Sequence, residues 1–138
     1  MAEQFFDLRS RQKEVYSDID HAFLSHPVSG KLTRKINREA VKQSVKSLIL
    51  TDFYERPFQP DIGCSIRSLL FENWHPAVEE LMRDSIVEVL NNYEPRASLL
   101  DVNINARPDS NSVSITIVFS IINDTEPVTL GLALERVR

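Results

Sequence analysis

The segment Asn92-Tyr93-Glu94-Pro95-Arg96, followed by ASLLDVNIN over residues 97–105, decides the fold because the hydrophobic period changes across it. Before Pro95, apolar residues recur at the three- and four-residue spacing of an amphipathic helix. After it, Leu100, Val102 and Ile104 alternate with polar residues, which is typical of a half-buried strand. Because the residue before a proline is biased away from the helical region, the helix is predicted to stop at Pro95.

Two further strands are predicted downstream. Apolar and polar residues alternate over residues 113–121 and again over residues 128–134. The turn-forming segments RPDSN at residues 107–111 and NDTEP at residues 123–127 separate the strands. We therefore expect a three-stranded antiparallel meander at the C-terminal end of the chain.

Helices are predicted before the change of hydrophobic period at Pro95. Asn37 can cap a helix over residues 38–50, where apolar residues recur at helical spacing. Ser65 can cap a short helix that runs to Phe71. A longer helix is predicted to begin after Asn73 or His75, with Pro76 in its first turn. Its apolar face is expected to contain Val78, Leu81, Met82, Ile86, Val89, Leu90 and Tyr93.

The segment at residues 51–64 contains two prolines three positions apart, which prevent a continuous helix. It is predicted to be an ordered loop rather than a linker, because three of its apolar side chains are expected to be buried. These are Phe53, Phe58 and Ile62.

Helices followed by a meander predict an α+β fold, with N-terminal helices packed on a small C-terminal antiparallel three-stranded sheet. A chain of 138 residues suits one such domain. We expect it to span residues 36–138, preceded by an N-terminal arm over residues 1–35 with at most a short helix around Glu3–Tyr16.

The composition excludes several classes of protein. A hydrophobic content of 42% and a net charge of −4 are ordinary for a globular domain and exclude whole-chain disorder. One cysteine cannot form an intrachain disulfide, and the three histidines lack a companion cysteine pair at zinc-ligand spacing. The few glycines form no phosphate-binding loop, and no apolar run reaches the ~20 residues that a membrane span needs. No cofactor, metal or membrane contact is predicted.

Basic residues are concentrated between Lys31 and Lys46, where six of them face the single acid Glu39. Such a stretch can contact nucleic acid, or it can be a solvated helix face or the contact surface for an acidic protein. The negative net charge and the lack of interleaved aromatic residues favour a solvated helix face or a protein contact over a nucleic-acid site. No nucleic-acid partner is predicted.

Glu94 stands at the predicted helix C-terminus, where a carboxylate opposes the helix dipole. A fixed cation would compensate for this. The planar guanidinium of Arg96 suits bidentate pairing with a carboxylate. The sequence leaves two possibilities open: Arg96 pairs with Glu94 itself, or it pairs with a carboxylate on another protein.

Enzymatic chemistry is weakly supported. Glycosidases use two carboxylates, and Glu72, Glu94 and Asp101 are the candidates. The chain has a single tryptophan, Trp74, to line a sugar cleft. Cys64 is expected to be a buried thiol rather than a nucleophile. We predict that the protein is not an enzyme.

The third strand is a candidate for pairing with another chain. Edge strands are usually protected by charge, proline or bulges, and the middle of this one has none of them. Alternatively, the chain's own N-terminal arm covers the edge. One side of the strand carries Val128, Leu130, Leu132 and Leu134, and the other carries Thr129, Gly131 and Ala133.

Several strings, in this order, resemble the short baseplate wedge proteins of contractile-tailed phages, a family that includes the TssE baseplate subunit of type VI secretion systems. The resemblance covers about residues 16–138. The strings are Tyr16-Ser17-Asp18-Ile19-Asp20, Arg56-Pro57-Phe58 with Pro60, Gly63-Cys64, Leu70-Phe71-Glu72-Asn73 and Asn92-Tyr93-Glu94-Pro95-Arg96.

The resemblance implies a structural subunit of the virion tail baseplate, assembled in the host cytoplasm. Its sheet would add strands from the tail sheath through residues 128–134. Glu94-Pro95-Arg96 and Arg56-Pro57-Phe58 would contact the core bundle of the wedge, and tail tube or hub proteins are further candidate partners. Members also carry a lysozyme-like label, and that activity is not expected here. Many members carry glycine where this chain has Tyr54, which argues against a positive-φ turn there.

Overall fold

The computed structural model describes residues 14–107 and 111–136. Its three C-terminal strands form an antiparallel sheet in the order β3-β4-β5, which confirms the predicted α+β meander. Among the described residues, no helix is both long and apolar enough to span a bilayer. The elements are β1 (Ser17–Ile19), β2 (Arg34–Ile36), α1 (Asn37–Leu50), α2 (Ile66–Leu70), α3 (Pro76–Tyr93), β3 (Ala97–Arg107), β4 (Ser112–Ile121) and β5 (Val128–Glu135).

The core lies between the helices and one face of the sheet. α3 packs against β3, α1 packs against β5, and the two helices also contact each other. Burying a large aliphatic or aromatic side chain contributes roughly 1.5–3 kcal/mol, so this layer supplies most of the favourable energy of folding. Its fully buried members include Val41, Val45, Ile49, Met82, Ile86, Leu90, Ile115, Ile117 and Phe119.

A bulge in β3 changes the side chains that face the core. Leu99 pairs with Phe119 and Asp101 pairs with Val118, so Leu100 has no partner opposite it. The extra residue turns Leu100 towards solvent, and Leu99 packs against the core instead. The prediction that Leu100 shares a face with Val102 and Ile104 was wrong, because strict alternation does not include a bulge.

Asn37 was predicted to cap α1, and this prediction was wrong. It is the first residue of the helix, with φ +47°, and Ile36 is the N-cap residue. The Asn37 Oδ1 atom accepts hydrogen bonds from the backbone N–H groups of Val15 (2.9 Å) and Tyr16 (3.3 Å). Asparagine tolerates a positive φ, and here its amide holds the N-terminal segment on the domain.

The other two helices begin where predicted, but without side-chain caps. α2 follows Ser65, whose hydroxyl lies 2.8 Å from that of Ser85 and so links α2 to α3. α3 begins at Pro76 after His75. On α3, Leu81 is exposed and does not belong to the apolar face.

The described part of the N-terminal arm is a two-stranded ribbon that the sequence did not predict. Ser17 pairs with Ile36 and Ile19 pairs with Arg34. The Gln43 side chain of α1 donates to the Ile19 carbonyl (2.8 Å), which fixes the ribbon on the domain. The helix predicted around Glu3–Tyr16 falls mainly on residues 1–13, outside the described residues.

The loop at residues 51–64 exposes its aromatic residues. Phe53 and Tyr54 are exposed and Phe58 is fully exposed, whereas Ile62 packs against the core. The prediction of burial was therefore wrong for Phe53 and Phe58. Tyr54 has φ +66° and Phe58 has φ +67°, so the positive-φ turn forms at Tyr54 without glycine. Two such residues in one exposed loop indicate backbone strain, which concentrates at functional segments.

Gly63 and Cys64 fix the base of this loop. A Cβ atom on Gly63 would lie 2.5 Å from the backbone nitrogen of Phe53 and 2.6 Å from the carbonyl carbon of Asp52. Cys64 donates its backbone N–H to the Thr51 carbonyl (2.7 Å), and its side chain is fully buried, as predicted. Burial raises the pKa of the Cys64 thiol to about 11, so the thiol is protonated at neutral pH.

Gly63→Ala should destabilise the domain by roughly 1–3 kcal/mol, because its Cβ meets backbone atoms that cannot move aside as a side chain would. Gly131→Ala is the matched control, since a Cβ there meets nothing within 4 Å. Urea unfolding of the two variants measures the difference. Equal midpoints would show that the close approach at Gly63 does not constrain the loop.

Candidate partner-binding surfaces

Glu94 is a buried carboxylate at the junction of three elements. It is the C-cap residue of α3, and its side chain is 2% exposed. Arg96 donates from Nε to Oε1 (2.6 Å) and from Nη2 to Oε2 (2.8 Å), and the Ser44 hydroxyl of α1 also donates to Oε2. Of the two possibilities left open, the structure contains the internal Glu94–Arg96 pair. The carboxylate thereby links α1, the end of α3 and the start of β3.

The surroundings of Glu94 keep it ionised. Burial alone raises the pKa of the Glu94 carboxyl, but hydrogen bonds from Arg96 and Ser44 outweigh it and hold the pKa below its ordinary value. The same carboxylate raises the pKa of Arg96. The Arg96 guanidinium also lies over the Tyr16 ring, with Cζ 5.4 Å from the ring centre. Glu94 is thus an ionised carboxylate that accepts hydrogen bonds from the Arg96 guanidinium and the Ser44 hydroxyl, and it is not a protonated acid.

The two motifs singled out in the sequence meet at one cavity of about 300 Å³. Arg56 from the loop, Glu94 and Arg96 all line it, together with Ser44 and Tyr93. Pro57 and Phe58 do not line it and are exposed beside it along the chain.

The cations of this cavity differ in their availability. Glu94 occupies two nitrogens of the Arg96 guanidinium. The Arg56 side chain has no ion pair or hydrogen-bond partner within residues 14–107 and 111–136. Of the two arginines that line the cavity, Arg56 is therefore the one whose charge is not paired within the described residues.

The hydrogen bonds between β4 and β5 show which residues of β5 direct their backbone groups towards β4. The Arg136 N–H donates to the Asn111 carbonyl (2.8 Å), so this is a hydrogen-bonded pair of the β4–β5 ladder. Hydrogen-bonded pairs recur at every second residue, and the register has no shift between Ser112 and Phe119. The residues whose N–H and C=O groups face β4 are Val128, Leu130, Leu132 and Leu134.

The alternate residues of β5 direct their backbone groups outward. Thr129, Gly131 and Ala133 have N–H and C=O groups on the open edge of the sheet. Within the described part of the chain, no strand pairs with this edge, and the arm at residues 14–35 pairs with itself instead. The other edge strand, β3, carries the bulge, which protects edges from pairing.

One ion-pair cluster was missed by the sequence analysis. Arg38, at the start of α1, pairs through Nε and Nη2 with the Asp124 carboxylate, the latter at 2.7 Å, and through Nη1 with Glu126 at 2.9 Å. The Arg38 guanidinium holds the pKa of the Asp124 carboxyl below its ordinary value. These residues are 86 and 88 positions apart, so no local pattern signals the pairing. It fixes the loop that precedes β5 on α1.

The three carboxylates considered for glycosidase chemistry do not share a site. Glu72 lines a different cavity, beside Trp74, and Asp101 is exposed on the outer face of β3. Glu94 is engaged by Arg96 and Ser44. Residues 14–107 and 111–136 contain no group of three His, Cys, Asp or Glu side chains placed to hold a metal ion.

Arg96→Ala should destabilise the domain because it leaves the buried Glu94 carboxylate without its cation. We expect a loss of roughly 1–3 kcal/mol, below the ~3–5 kcal/mol of fully buried pairs because the Arg96 side chain is 36% exposed. Arg56→Ala is the control, since it removes from the same cavity an arginine whose side chain has no ion pair within the described residues. Thermal and urea unfolding at pH 7 check the difference.

The same variants have a distinct pH dependence. The lowered native pKa of Glu94 contributes stability that is present above its ordinary value of 4.5 and is lost as pH falls through the native pKa. The loss of unfolding free energy caused by Arg96→Ala should therefore become smaller at acid pH. A deficit that stays constant from pH 7 to pH 3 would mean that Arg96 acts by packing alone.

Comparisons with known proteins identify the family of the chain. A family model described as baseplate wedge protein gp25 matches residues 36–126. The baseplate wedge protein gp25 of Enterobacteria phage T4 is 32% identical over 123 residues, which cover 87% of this chain and 92% of that protein.

Solved structures share the fold. A putative tail lysozyme from Geobacter sulfurreducens has a TM-score of 0.64 at 23% identity, over 71% of this chain and 89% of that one. A chain of the anti-feeding prophage baseplate has a TM-score of 0.62 at 21% identity, over 86% and 83%. A chain of the postcontracted pyocin R2 baseplate has a TM-score of 0.55 at 17% identity, over 88% and 100%. On the family match and the T4 relative, the chain belongs to the baseplate wedge protein gp25 family.

Proposed function

We propose that this protein is a structural, non-enzymatic wedge subunit that joins the core bundle of a contractile-tail baseplate to the first ring of sheath. In this proposal β5 is the template on which sheath polymerises, by accepting a strand from a sheath subunit. The observation that carries the proposal is the outward N–H and C=O groups of Thr129, Gly131 and Ala133 on an unbulged edge.

The side chains of β5 suit strand addition. Thr129, Gly131 and Ala133 are small and lie on the exposed face, so they leave room for bulky neighbours on an added strand. Val128, Leu130 and Leu132 are buried beneath the helices, and a strand at the edge can extend this apolar layer. The Arg38 cluster fixes the start of β5 before any partner arrives.

We assign the contact with the wedge core to the cavity at Glu94 and the adjoining loop. Glu94 and Arg96 form its wall, and Pro95 separates the two residues in the turn. Arg56 offers a guanidinium that no described residue pairs with, while the exposed Pro57 and Phe58 offer apolar surface next to it. Arg56→Ala, the variant expected to keep its stability, should therefore lose co-purification with the core bundle.

The proposed setting is the tail baseplate of a virion, assembled in the host cytoplasm, with tail tube or hub proteins as further partners. A baseplate subunit of a type VI secretion system is the alternative within the same class. Peptidoglycan cleavage is the alternative from another class. The low pKa of Glu94 argues against it, because a glycosidase acid must be held protonated.

Proline substitutions in β5 test the template role. Thr129→Pro removes an outward N–H, so we expect a folded protein whose tails have a baseplate and a tube but no sheath. Leu130→Pro removes a donor from the β4–β5 ladder and a buried side chain, and should cost roughly 3 kcal/mol or more. Unfolding curves and electron microscopy of tails carrying each variant provide the two readouts.

The opposite pattern would contradict the proposal. Full-length sheath on tails that carry folded Thr129→Pro and Gly131→Pro would show that this edge is not the template. The N-terminal arm would then be the better candidate.

A further inference from the structure

A basic groove lies along α1 next to the open edge of β5. It has a volume of about 460 Å³, and the sheet contributes Leu130, from the edge strand, to its lining. α1 contributes most of the rest, and the ribbon and the residues next to it contribute Asp20, His21 and Lys35. The lining residues of α1 are Glu39, Lys42, Gln43, Lys46, Ser47 and Leu50.

The cations of the groove are not equally neutralised. Lys35 pairs with Asp20 at 3.5 Å. Lys42 and Lys46 form no ion pair with any residue in the described part of the chain. They lie one helical turn apart, so both amino groups emerge on the same side of α1. Glu39 is the single acid on that side of the helix within the lining.

A strand added to β5 must run past this groove. It would lie about 4.8 Å beyond β5 in the plane of the sheet, and its side chains would alternate between the two faces. Those on the outer face would flank Thr129, Gly131 and Ala133. Those on the inner face would point to the helix layer, where α1 is the helix that packs against β5.

We propose that the strand accepted by β5 is acidic on its inner face, carrying Asp or Glu side chains that pair with Lys42 and Lys46. The inference rests on the proposed strand addition and adds the chemistry by which the partner is selected. The backbone ladder supplies contacts that any extended chain can make, whereas the two lysines favour carboxylates and disfavour basic strands. Within the part of the chain that the structure describes, both the two lysines and the edge strand are available to such a partner.

Charge reversal separates this claim from the template role. Lys42→Glu with Lys46→Glu should lower the yield of sheathed tails by about tenfold, because like charges then face the strand. Lys31→Glu with Arg34→Glu makes the same change in net charge away from the groove and should assemble normally. Replacing the acidic residues of the sheath strand by lysine should restore assembly on the reversed groove. Lys46→Glu alone, at an exposed position, keeps the test available if the double variant does not fold.

Three results would overturn the inference. Normal sheath on the reversed groove, with assembly still blocked by Thr129→Pro, would mean that the edge is used without the lysines. Equal loss in both charge-reversed pairs would mean that total charge matters and the groove does not. Normal sheath with Thr129→Pro would remove the template role itself and this inference with it.

Discussion

The ion pair between Glu94 and Arg96 is the constraint on which the rest of the structure depends. A helix must end and a strand must begin within three residues, and the carboxylate at that point is almost completely buried. The helix dipole disfavours a negative charge at this end. The Arg96 guanidinium compensates, and the Ser44 hydroxyl extends the same centre to α1. One carboxylate thus sets the positions of both long helices relative to the sheet.

This arrangement determines which part of the sheet remains open. Ser44 ties the middle of α1 to Glu94, and Arg38 ties its start to Asp124 just before β5. α1 therefore lies over the edge strand and covers its apolar face without covering its outer backbone groups. The other edge is interrupted by the bulge at Leu100. Within residues 14–107 and 111–136, the sheet thus has one regular edge that no strand pairs with, and Lys42 and Lys46 beside it form no ion pair.

The sequence was sufficient for the helices and the three-stranded sheet, though not for the β1–β2 ribbon, because hydrophobic period is a regional property. The change of period at Pro95 and the alternation in residues 113–121 and 128–134 predicted the meander. Single-residue features were not predictable in the same way. The bulge at Leu100 leaves no trace in composition, and Asn37 satisfies the sequence rule for a cap while serving the N-terminal segment. Phe58 is apolar yet exposed, and its apolar character alone could not show this because many apolar residues lie on protein surfaces.

The candidate site also contains residues that the sequence could identify and residues that it could not. Glu94 and Arg96 were identifiable because they are adjacent to the period switch, although their pairing with each other required coordinates. Arg38 and Asp124 were not, because 86 residues separate them. The outward parity of Thr129 also required coordinates, since it depends on which residues of β4 face β5.

Amide hydrogen exchange resolved to single residues in β5 tests the central claim most directly. In the free protein, the amides of Leu130 and Leu132 should exchange slowly because they bond to β4, and those of Thr129, Gly131 and Ala133 should exchange rapidly. In the assembled tail, all five should be protected. Rapid exchange at Thr129, Gly131 and Ala133 in sheathed tails would contradict the claim that this edge holds the first strand of the sheath.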